Sequence, residues 1–308
     1  MSPAYAPRRA ARSSHLAVRG LRYHLHQWGE PALASAERPP LLMLHGWMDV
    51  GASFQFLVDA LAEAEAPPRW IIAPDWRGFG LTQAPGADSY WFPDYLGDLD
   101  ALLRVLEIAG SVDLLGHSMG GNVAMSYAGV RPQRVRRLVN LEGFGMPATR
   151  PQQAPARLAQ WLDELAAPAA LRGYADLGAV AARLCANDPL LTADKAAWLA
   201  PHWAARDAQG RWQILGDPAH KRVNPILYHV DEVLETWKRI TAPVLWVQGN
   251  LTDTTQWWGH RYPRHEFEAR LSVVPRVTRA ELAPCGHMLH HDQPEALADH
   301  LRRFLAPG

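Results

Sequence analysis

The segment Gly116-His117-Ser118-Met119-Gly120-Gly121 holds a serine with a glycine two residues away on either side. The apolar run Val112-Asp113-Leu114-Leu115 precedes it, and the helical pattern Asn122 to Val130 follows. A G-x-S-x-G match between a strand and a helix predicts a strand-to-helix turn that lifts the serine oxygen above a sheet. Gly116 and Gly120 leave room where a side chain would collide with the neighbouring backbone. The start of the following helix favours negative charge beside the hydroxyl. A serine hydroxyl is a poor nucleophile until a base takes its proton, so this chemistry needs a histidine, an acid to orient it, and donors for an oxyanion.

The elements that must position these groups follow an alternating rhythm. Leu41-Leu42-Met43-Leu44 reads as a buried strand ending at His45-Gly46, and Ser53 to Ala64 as a helix. Trp70-Ile71-Ile72-Ala73 is the next strand, ending at Pro74-Asp75. Tyr95 to Ala109 places Leu99, Leu102, Leu103 and Leu106 on one helical face. Val135 to Leu141 is again a strand. From Gly145 to about Thr236 the rhythm stops, leaving helical stretches at Pro155 to Ala166 and Ala193 to Arg206 and an extended strip at Arg211 to Leu215. It resumes with the strand Val244 to Val247, a helix near His265 to Leu271, the strand Ala280 to Leu282, and a closing helix Pro294 to Leu305. This βαβ order predicts an α/β fold, a mostly parallel sheet with helices on both faces, interrupted by one insertion.

These motifs together resemble the α/β-hydrolase superfamily over about Leu21 to Leu305. The matching residues are His45-Gly46-Trp47, Asp75-Trp76-Arg77-Gly78-Phe79-Gly80, the serine elbow and Gly286-His287. The resemblance implies an eight-stranded sheet, with residues 15–144 and 237–308 as core and 145–236 as a cap between strands six and seven. Residues 1–14 are expected to form a disordered tail.

The resemblance also selects among the fourteen histidines. It makes His287, after the last strand and before the last helix, the base for Ser118. His290 and His291 are weaker candidates for that role. A metal cluster of His287, His290 and His291 lacks a matching carboxylate motif, so no metal is expected. His45 and His117 belong to turns that pack beneath the site, and Asp75 and Arg77 to a motif that shapes a nearby loop. The expected acid is Asp253, in the loop Gly249-Asn250-Leu251-Thr252-Asp253, which preserves the chain order Ser, Asp, His. Glu142, at the end of the strand closing at Leu141, is the alternative. Backbone N–H groups of Met119 and Trp47 are the expected oxyanion donors.

Thirteen tryptophans are many for 308 residues. Met48, Trp161 and Trp257 are assigned to the substrate pocket, whose aromatic surroundings fit a small apolar or aromatic substrate. Lys+Arg and Asp+Glu each total 31, a balance with no electrostatic footprint for nucleic acid or an anionic membrane. No apolar run approaches the ~20 residues needed to span a bilayer. Two cysteines, Cys185 and Cys285, with no CxxC, indicate a reducing, cytoplasmic setting. The acid-free, arginine-containing segment Met1 to Gly29 resembles a transit peptide in composition only, because Leu16 to His26 alternates like a strand. The expected activity is cleavage of a carboxylic ester or related acyl bond without a cofactor. The alternatives are carbon–carbon bond hydrolysis, a perhydrolase or haloperoxidase-like reaction with the same triad, and a non-catalytic binder. The expected partner is a small-molecule substrate; the oligomeric state stays open.

Overall fold

The computed structural model describes residues 4–62 and 69–307. Strands β1 (Arg12–Val18) and β2 (Leu21–Trp28) form a hairpin whose turn uses Arg19 and Gly20, both at positive φ. Then come β3 (Leu41–Leu44), α1 (Gln55–Ala62), β4 (Ile71–Pro74), α2 (Phe92–Val105), β5 (Val112–His117), α3 (Met119–Val130) and β6 (Val135–Leu141). Between β6 and the next strand of the main sheet lie α4 (Ala154–Ala166), β7 (Gly173–Tyr174), α5 (Leu177–Asn187), α6 (Ala193–Trp203), β8 (Ala204–Arg206), β9 (Trp212–Ile214) and α7 (Val230–Lys238). The chain finishes with β10 (Val244–Gly249), α8 (Thr255–Trp258), α9 (Arg264–Leu271), β11 (Val277–Leu282), α10 (Leu289–Asp292) and α11 (Pro294–Leu305).

Eight strands make one sheet in the order β1-β2-β4-β3-β5-β6-β10-β11. Pairing is parallel from β4 through β11, and antiparallel only for β1 with β2 and β2 with β4. Alternation along each strand sends neighbouring residues to opposite faces. Leu42, Leu44, Leu114, Leu138, Val244 and Trp246 join one core with α2, α3, α7 and α9. Leu41, Met43, Leu115, Val139, Leu245 and Val247 join a second with α1, α10 and α11. The expected single opening strand is therefore two. Residues 63 and 64 of the expected first helix lie outside the described residues.

The expected disordered tail is corrected in part. Tyr5 Oη donates to Asp59 Oδ2 at 2.5 Å, the Arg9 N–H donates to Asp59 Oδ1 at 3.0 Å, and Gln55 Nε2 donates to the Arg9 carbonyl at 2.9 Å. A buried carboxylate on α1 thus collects the segment, and β1 already begins at Arg12. Residues 1–3 lie outside the described residues.

The 145–236 stretch carries its own three-stranded sheet, β7-β9-β8. A third apolar cluster joins Val180, Leu184 and Leu199 of this stretch to Val50, Ala52 and Phe56. Two backbone bonds strap it to the turn after β4: Gly80 N–H to the Leu215 carbonyl at 2.8 Å, and Asp217 N–H to the Gly78 carbonyl at 2.7 Å. His220 is stacked between Phe79 and Tyr90, with ring centroids 3.8 and 3.5 Å away. No helix among the described residues is long and apolar enough to cross a membrane.

The sheet leaves no space at the start of α3. A Cβ on Gly120 would collide with the carbonyls of Leu44 and His45, and one on Gly116 with the Gly120 backbone. Backbone cannot yield as a side chain can. Gly120→Ala is expected to lose about 3 kcal/mol of stability. Urea unfolding checks this, and a wild-type midpoint would contradict such tight packing.

Candidate active site

Ser118 stands between β5 and α3 with φ 52° and ψ −115°. That conformation is rare for a residue with a side chain and persists only where its surroundings enforce it. The Ser118 N–H donates to the Leu141 carbonyl at 2.8 Å, and the Asn122 N–H to the Ser118 carbonyl at 3.1 Å. The turn is thus pinned to β6 on one side and to the first turn of α3 on the other. Met119 opens α3, so its N–H is among those with no intrahelical partner.

The register of the sheet places a carboxylate beside His287. His117 pairs with Leu141 across β5 and β6, and Val247 pairs with Leu141 across β10 and β6. Glu142 therefore leaves β6 at the same level as Ser118 leaves β5, again at positive φ, 53°. Its side chain is buried. Oε2 meets His287 Nδ1 at 2.7 Å and accepts from Thr252 Oγ1 at 2.9 Å, while Oε1 accepts from the Gly249 N–H at 2.8 Å. His287 follows β11, two strands beyond β6. With Nδ1 engaged, Nε2 is the ring nitrogen left open. The His117 ring lies beside it at 4.7 Å between centroids, and His117 Nε2 donates to the His287 carbonyl at 2.9 Å.

The expectation that Asp253 meets His287 is corrected by this geometry. Asp253 is exposed and accepts from the Thr255 N–H at 2.9 Å and Thr255 Oγ1 at 2.6 Å. These bonds hold its pKa below the usual carboxylate value. It organises the turn into α8. The β10 loop instead gives Gly249 and Thr252, which hold Glu142. Nothing local in the sequence marks Thr252 for this; its position becomes apparent only once β6 and β10 are paired.

The segment Gly46-Trp47 passes over the elbow. A Cβ on Gly46 would come within 3.3 Å of Ser118 Cβ. Trp47 is 51% exposed, and its indole N–H donates to the His220 carbonyl at 3.3 Å. Met48, at φ 56°, lies against Gly216 of the 145–236 stretch. Trp257 packs edge-on to His287 with centroids 4.6 Å apart. Trp161 donates to Ser89 Oγ at 3.0 Å, which ties α4 to the segment before α2. The structure thus brings Trp257 against the candidate base and Met48 beside the 145–236 stretch, and shows no such contact for Trp161.

His45 accepts from the Trp76 N–H at Nε2, 2.9 Å. Asp75 collects the Gly51 and Leu81 N–H groups and His24 Nδ1. Arg77 pairs with Asp98 and Asp94. These groups brace the loops beneath the site.

The profile of the alpha/beta hydrolase fold family matches residues 39–294. The chain belongs to this family. This α/β-hydrolase is 25% identical over 276 residues to the cis-3-alkyl-4-alkyloxetan-2-one decarboxylase of Shewanella oneidensis, covering 86% of this chain and 81% of that one. It is 28% identical over 296 residues to a serine hydrolase-like protein of Danio rerio, covering 91% and 86%. A 2-hydroxymuconate semialdehyde hydrolase of a Pseudomonas species is 35% identical over 134 residues, covering 41% and 42%. Among solved structures, the thioesterase domain of the curacin biosynthetic pathway superposes with a TM-score of 0.79 at 24% identity, covering 95% and 99%, a likeness of fold. The PA1622 protein of Pseudomonas aeruginosa gives 0.78 at 26% identity, covering 95% and 97%.

Glu142→Gln is expected to lower kcat by about 10³–10⁴, because a carboxamide no longer fixes the tautomer of the base. Asp253→Asn is expected to stay close to wild type. Steady-state kinetics of both variants on one chromogenic ester check the pair, and the reverse ranking would restore Asp253.

Proposed function

We propose that this α/β-hydrolase is a serine hydrolase that cleaves a carboxylic ester or related acyl bond through a Ser118–His287–Glu142 triad. The observation that carries this reading is the 2.7 Å contact between His287 Nδ1 and the buried Glu142 carboxylate, one strand away from a serine on a strained elbow. The Ser118 oxygen attacks the acyl carbon while its proton passes to His287 Nε2. The carbonyl electrons move to the oxygen, which takes hydrogen bonds from the N–H groups of Met119 and Trp47. Collapse expels the leaving group, protonated by His287, and leaves an ester on Ser118. Water then repeats the attack, its proton going to His287, and releases the acid.

The 145–236 stretch is read as a lid over the elbow. Trp47, Met48 and Trp257 supply apolar and aromatic surface around it, which supports a small apolar or aromatic acyl group. The partial likeness to a hydroxymuconate semialdehyde hydrolase favours a second reading, hydrolysis of a carbon–carbon bond next to a ketone.

A fluorophosphonate probe is expected to label Ser118 and to lose the label in Ser118→Ala. Short p-nitrophenyl esters are expected to turn over, with His287→Ala reducing kcat by about 10³ or more. Faster cleavage of a vinylogous 1,5-diketone than of any ester would favour the second reading. A folded chain that neither reacts with the probe nor turns over either class would overturn both.

A further inference from the structure

Beneath the elbow, Asp49, His117 and His290 converge. All three are buried, at 3%, 2% and 0% exposure. Each has one potential ligand atom within 4.8 Å of the others'. Each also leaves one buried atom without a hydrogen-bond partner: Asp49 Oδ2, His117 Nδ1 and His290 Nδ1. Buried polar groups are normally satisfied, so an unpartnered atom on each of three converging side chains calls for a ligand.

The surrounding bonds say what kind of ligand. His117 Nε2 donates to the His287 carbonyl, so its neutral ring carries a lone pair on Nδ1. His291 Nδ1 lies 3.1 Å from Asp188 Oδ2, and both His290 Nε2 and His291 Nε2 contact Ser53 Oγ, at 2.9 and 2.7 Å. A consistent proton order runs from His291 to Asp188, from Ser53 to His291 and from His290 Nε2 to Ser53, which leaves a lone pair on His290 Nδ1. The Asp49 carboxylate lies beside His290, whose Nε2 is 3.8 Å from Asp49 Oδ2. Its Oδ1 already accepts from the Val50 N–H and Trp203 Nε1. The three open atoms are thus all acceptors, and none of them receives a hydrogen bond from the described residues. One water offers two protons; a metal ion serves all three.

We propose that Asp49, His117 and His290 form a structural site for a borderline divalent metal ion such as Zn²⁺, two imidazoles and one carboxylate beneath the serine elbow. The donor set suits zinc, and the His287 carbonyl and Ser53 hydroxyl are the outer partners that orient such ligands. The ligands sit on the three segments that carry the chemistry. His117 precedes Ser118, His290 follows His287 by three residues, and Asp49 follows Trp47 by two. An ion there joins nucleophile, base and oxyanion-donor segments from below, with closure on the metal drawing the three side chains together. A second buried group, His24, His26 and Asp75, differs: His24 uses both ring nitrogens, on Ser13 and Asp75, and both Asp75 oxygens accept backbone N–H groups.

The test uses the full chain, stripped with a chelator and titrated with Zn²⁺ by calorimetry and with Co²⁺ by visible absorption. One equivalent is expected to bind and to raise the melting temperature by a few degrees at saturating metal. His290→Gln and Asp49→Asn are expected to weaken binding at least tenfold, while His26→Gln retains it. Should the buried variants fail to fold, zinc X-ray absorption of the wild-type chain decides: two imidazoles with oxygen support the site. No binding by the wild type, binding lost in His26→Gln but kept in His290→Gln, or a zinc shell with no imidazole or more than two would overturn it.

Discussion

The Glu142 carboxylate is the constraint on which the site depends. A charge buried this far from water persists only if its oxygens are satisfied. Three donors from separate parts of the chain do so: the Gly249 N–H, the Thr252 hydroxyl and His287 Nδ1. Charge-assisted bonds of this kind are stronger and more directional than neutral ones. The end of β6, the loop after β10 and the loop after β11 are therefore fixed relative to one another by one side chain. The same bonds engage Nδ1 of His287 and leave Nε2 as its open nitrogen.

Strain gathers at the same place. Five non-glycine residues have positive φ among the described residues, and three of them are Met48, Ser118 and Glu142. Each lies just past the C-terminal end of a parallel strand, where the chain must turn sharply to present a group above the sheet. Such conformations cost about 1–3 kcal/mol each and need a rigid frame to hold them. That frame is the close-packed start of α3 against β3, where only glycine fits at 116 and 120. The packing, the strain and the hydrogen-bonded carboxylate belong to one arrangement.

The 145–236 stretch meets this arrangement from outside the sheet. Backbone bonds at Gly78 and Gly80, the His220 ring between Phe79 and Tyr90, and the indole of Trp47 against the His220 carbonyl fasten it beside the elbow. The insertion meets the segment after β3 at Trp47 and Met48. These are also the residues that carry an expected oxyanion donor and part of the expected pocket.

The sequence alone determined the parallel sheet, the elbow and the position of Ser118. Those features are local: a period-two apolar run, a pair of glycines and a helix pattern lie within a few residues of one another. His287 was legible from the order of motifs along the chain. The carboxylate that meets it was not, because Asp253 and Glu142 both stand near strand ends and sequence carries no record of which end faces the histidine. Strand register decided it, placing Glu142 level with Ser118 and turning Asp253 toward Thr255. The same holds for Asp49, His117 and His290, which share no spacing in the chain and meet only because the loop after β3, the end of β5 and α10 converge beneath the site. Local pattern specifies elements, while contacts between distant strand ends exist only when the sheet has closed.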